Sequence, residues 1–74
     1  MDGNNRPHRT RDVERFLRQN DISGVQLVKG PGWFCFEGEP TAGWTNHTVQ
    51  VSFLADLTLD GWLDAFRSLQ RSPH

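Results

Sequence analysis

One cysteine and three histidines are the residues of this 74-residue chain whose chemistry best suits a nucleophile, its base or a zinc site. Cys35 could serve as a nucleophile with His47 as its base if neighbouring strands bring them together. That chemistry needs a lowered thiol pKa, a base in hydrogen-bond reach and a pocket. Cys35 lies between Phe34 and Phe36 with no helix N-terminus aimed at it, so a structural cysteine is the stronger reading. His8, Cys35, His47 and His74 are widely scattered, and no two have the spacing of zinc ligands. Gly30-Pro31-Gly32 follows a strand and leads into a strand, so no helix N-terminus waits there for a phosphate. No enzyme activity, metal or cofactor is expected.

Two other groups of residues could make contacts. Arg11, Arg15 and Arg18 recur at spacings of four and three, with Arg6 and Arg9 upstream. On a helix they form one basic stripe, able to touch phosphates or an acidic protein surface. Against that, Asp12 lies three before Arg15 and Glu14 four before Arg18, and local pairs of this kind neutralise a solvated face. The second group is aromatic. In Gly30-Pro31-Gly32-Trp33-Phe34-Cys35-Phe36-Glu37-Gly38, a tight turn feeds four apolar residues, three of them aromatic. Strand side chains alternate, so Trp33, Cys35 and Glu37 face one way and Phe34 and Phe36 the other.

The elements that position these residues follow from periodicity. Thr10 is the expected N-cap of a first helix, whose apolar face is Val13, Phe16 and Leu17. Turn formers from Asn20 to Gly24 end it. Val25–Lys29 and Trp33–Glu37 read as a hairpin, and Trp44–Phe53 as a third strand, with Val49, Val51 and Phe53 on its inner face. Thr58 caps a second helix whose Leu59, Trp62, Leu63, Phe66 and Leu69 make the strongest helical pattern in the chain. The expected fold is α+β: helix, three-stranded antiparallel meander, helix, with both helices on one sheet face. The expected core is the apolar set just named other than Leu59, with Ile22, Leu27, Phe34, Phe36 and Leu57.

That arrangement leaves Trp33 and Trp44 together on a polar outer face with Glu37, Thr48 and Gln50. Exposed tryptophan on a polar surface marks protein–protein contacts. It also serves as a stacking platform for single-stranded nucleic acid. In the plainer reading, the two rings only cover each other and the loops.

The bulk numbers bound these readings. The chain is one small domain, expected over residues 10–72 after a disordered lead-in at 1–9. A lone cysteine forms no internal disulfide, so a partner or a second copy (a homodimer) is a source of added stability. The net charge of −1 divides into +2 over residues 1–18 and −3 over residues 19–74. So near-neutral a balance lacks the strong field of non-specific nucleic-acid binders. No apolar run is long enough to span a membrane. Residues Met1 to Pro7 lack the apolar core of a signal peptide, which points to the cytoplasm.

The stretches Val25-Gln26-Leu27-Val28-Lys29-Gly30, Gly32-Trp33-Phe34-Cys35-Phe36 and Leu57-Thr58-Leu59-Asp60-Gly61-Trp62 carry a resemblance. The chain resembles short accessory proteins of bacterial plasmids, integrative elements and phages over residues 20–70. Those pair a leucine-valine-x-glycine-x-glycine-aromatic hairpin with a late leucine-x-x-tryptophan helix. The resemblance transfers no catalytic residue. It implies a small binder that blocks or redirects a host protein, counter-defence inhibitors included. The expectation is therefore a non-enzymatic protein binder using Trp33, Trp44, Glu37, Gln50 and Thr48. Nucleic-acid binding through Arg11, Arg15 and Arg18 is the alternative.

Overall fold

A computed structural model of the chain describes residues 6–71. The order is helix α1 (Thr10–Gln19), strands β1 (Val25–Gly30), β2 (Trp33–Gly38) and β3 (Thr48–Val49), then helix α2 (Leu59–Arg71). The strands form one antiparallel sheet in the order β1-β2-β3. This is the expected α+β fold. Lead-in residues 1–5, and residues 72–74 with His74, lie outside the described residues.

Helix α1 starts one residue earlier than its sequence implied: its N-cap is Arg9, not Thr10. The Asp12 carboxylate explains the shift. Its Oδ2 accepts the backbone N–H groups of His8 at 2.9 Å and Arg9 at 3.0 Å, closing the helix start from the third helical position. At the other end, Ile22 N–H donates to the Leu17 carbonyl and Asp21 N–H to that of Arg18. This is a Schellman closure, and it places Asp21 at the position that glycine usually holds, with φ of 67°. Upstream of the helix, Pro7 is buried and Arg6 donates to the Ala55 carbonyl, so packing begins before position 10.

The hairpin turns on Pro31-Gly32 between the paired Gly30 and Trp33. Proline fixes a negative φ at the first turn position, and Gly32 supplies the positive φ of 80° at the second.

The third strand is much shorter than the expected Trp44–Phe53. Only Thr48 and Val49 pair with β2, opposite Cys35 and Phe34. On one side a last backbone bond to β2 runs from Phe36 N–H to the His47 carbonyl at 2.9 Å. On the other, Val51 N–H folds back on the Val49 carbonyl, a local closure that competes with sheet pairing. The alternation that placed Phe53 in the core fails with the strand, and Phe53 is 68 % exposed.

The core lies between one sheet face and both helices. Val13 and Leu17 of α1 meet Val25, Leu27, Phe34 and Phe36 of the hairpin and Trp62, Leu63 and Phe66 of α2. Val25 belongs to it although its sequence context did not mark it. Phe34 meets Trp62 edge-to-face at 5.4 Å, and Phe36 meets Phe66 at 5.3 Å, a geometry that adds to area burial. Thr58 Oγ1 accepts the Gly61 N–H at 3.0 Å, capping α2 as its sequence predicted. The buried Trp62 satisfies its indole N–H on the Leu54 carbonyl at 2.9 Å.

Candidate nucleic-acid interface

The two tryptophans do not share a surface. Trp44 lies off any strand and turns to the core side, 4.9 Å from the Phe66 ring and 6.4 Å from that of Phe36. The expected placement of Trp44 on the outer face is therefore corrected. It rested on a ten-residue strand whose alternation does not exist there. Gln50 also lies past the end of β3, exposed but outside the ladder.

Trp33 does sit on the face away from the helices, and it has local work. A Cβ built on Gly30 would lie 2.2 Å from Trp33 Cζ2, so the indole rests directly on the glycine across the strand pair. An aromatic ring shielding a sheet glycine is a known way to stabilise a hairpin. Beside it, Val28, Cys35 and Thr48 fall in one row across the three strands, with Gln26 opposite Glu37. Val28 is 39 % exposed.

Cys35 and His47 are not arranged as a nucleophile and base. Burial, and then the Glu37 charge, push the Cys35 thiol above its ordinary value, the opposite of thiolate activation. The two ring nitrogens of His47 lie 3.0 and 3.1 Å from the carbonyl oxygens of Phe36 and Trp44. The histidine thus fastens the loop before β3 to β2. Among the described residues, no group of three or more His, Cys, Asp or Glu could hold a metal ion.

The arginine stripe is more open than its sequence neighbours implied. Arg11, Arg15 and Arg18 are all exposed. Glu14 does not pair with Arg18: its Oε2 accepts the Leu27 N–H of β1 at 2.9 Å. Asp12 spends Oδ2 on two backbone donors, and Arg15 only adds to holding that carboxyl below its usual range, after the two hydrogen bonds. Arg11 and Arg18 are thus exposed while Glu14 Oε2 and Asp12 Oδ2 are both taken by backbone donors. The three arginines span about 10 Å of helix, at about 1.5 Å per residue.

Next to the stripe, a cleft of about 250 Å³ opens between α1, the segment 6–8 before it and the start of α2. Arg15 borders it, with Phe16, Gln19 and Leu59. Phe16 reads from sequence as a core residue; its position at the margin of the apolar face, beside Asp12 and Gln19, is the signal that could have marked a half-exposed wall. Among the described residues, no helix is long and apolar enough to cross a membrane. Comparison of the chain with protein families, with curated proteins and with solved structures finds no match.

Proposed function

We propose that this chain is a non-enzymatic binding domain that contacts nucleic acid through the arginine face of α1. The observation that carries this reading is the pairing pattern of the two acids on the same helix. Glu14 is committed to the sheet and Asp12 to the helix start, which leaves the guanidinium groups of Arg11 and Arg18 open to outside anions. Guanidinium is the side chain best shaped for phosphate, with paired donors in a fixed fork. The near-zero net charge makes this a local electrostatic contact, modest in strength and steeply dependent on salt.

The reading is tested with the exposed stripe itself. The triple variant Arg11→Gln, Arg15→Gln, Arg18→Gln should keep its circular dichroism spectrum and lose mobility-shift binding to a short oligonucleotide at low salt. Undiminished binding by the folded variant would remove α1 as the contact.

A protein partner on the open sheet face is the second reading, favoured by the uncovered row of Val28, Cys35 and Thr48 beside Trp33. The resemblance to mobile-element accessory proteins supports it, with a host protein bound and inhibited. Val28→Arg on this face should abolish capture of that partner in a pull-down and leave oligonucleotide binding intact.

A further inference from the structure

We infer that the cleft beside the arginine stripe holds one unpaired base, so that the preferred partner is single-stranded nucleic acid. This rests on the nucleic-acid reading above and narrows it. The cleft has a composition that suits a nucleotide. Phe16 and Leu59 supply an apolar wall, and the half-buried Phe16 ring is the aromatic surface on which a base stacks. Arg15 belongs both to the cleft and to the stripe, so a base seated inside keeps its phosphate next to a guanidinium. Arg11 and Arg18 then follow along the helix for the neighbouring phosphates.

One polar group remains for the base edge: Gln19 is exposed at the cleft and offers an amide donor and acceptor. Asp12 also lines the cleft, its Oδ2 held by the His8 and Arg9 N–H groups. Arg6 forms part of the far wall, where its guanidinium donates to the Ala55 carbonyl. That wall is tied to the turn before α2. A cleft of about 250 Å³ admits one base, and a duplex offers no free base to fill it.

The experiment compares three fluorescently labelled probes by polarisation with the unaltered chain at low salt: a mixed-sequence 12-nucleotide single strand, a 12-nucleotide abasic strand and a 12-base-pair duplex. Parallel DNA and RNA single strands show which sugar is preferred. The single strand should bind at least about fivefold more tightly than the abasic strand, the lower end of what one stacked base contributes, and more tightly than the duplex. Gln19→Ala should narrow that gap while leaving abasic-strand affinity unchanged. Equal affinity for all three probes would overturn base insertion yet leave a phosphate contact standing. No binding of any probe would overturn both.

Discussion

Two aspartates, one at each end of α1, show how single side chains set this structure. Asp21 holds the left-handed position that closes α1, with φ of 67°. A non-glycine residue there is strained, and glycine is not. Asp21→Gly should therefore raise stability in urea denaturation by about 0.5–1 kcal/mol, less the entropy glycine adds to the unfolded chain. Asp12 has a pH signature. Backbone N–H groups of His8 and Arg9 hold its carboxyl below the ordinary value. Its contribution is thus present above the unfolded value of about 4 and disappears as pH falls through the lowered folded value. Asp12→Asn should destabilise most at neutral pH, and the gap to the parent protein should close in acid. A gap that stays constant from neutral to strongly acidic conditions would show that ionised Asp12 does not secure the helix start.

At the scale of elements, the helices and the hairpin were legible and the third strand was not. Helix periodicity at Leu59, Trp62, Leu63 and Phe66 reflects a burial pattern that long-range packing reinforces. The Pro31-Gly32 turn is similarly local. The end of the expected strand, from Thr48 to Phe53, alternates cleanly, yet the Val51 N–H turns back to the Val49 carbonyl and leaves the ladder. That closure depends on which partner the N–H finds, which alternation does not encode. The same limit applies to the candidate site: the arginine spacing is visible in the sequence, but spacing alone pairs Glu14 with Arg18. Its carboxylate instead occupies the Leu27 N–H of β1, protecting a sheet edge. Glu14→Ala should cost about 1–3 kcal/mol in chemical denaturation, because it orphans a part-buried donor. Glu14→Gln keeps an oxygen acceptor and should recover most of that loss. Equal losses in the two variants, both removed by salt, would restore the ion-pair account.

For the whole molecule, the helices and sheet spend nearly all the large apolar residues on one core, and two surfaces remain for outside contacts. The open sheet face carries Trp33, already resting on Gly30, and has lost Trp44 to the core. The α1 face carries three exposed arginines beside a cleft with an aromatic wall. That division moves the weight from the tryptophans to the arginines, although a charge of −1 for the full chain gave no hint of it. The most direct measurement is the affinity for a single-stranded 12-mer across a series of salt concentrations. With three phosphates held by Arg11, Arg15 and Arg18, log K against log salt should fall with a slope of about −2, and the triple glutamine variant should flatten it. A slope near zero, or the same slope in parent and variant, would contradict the account.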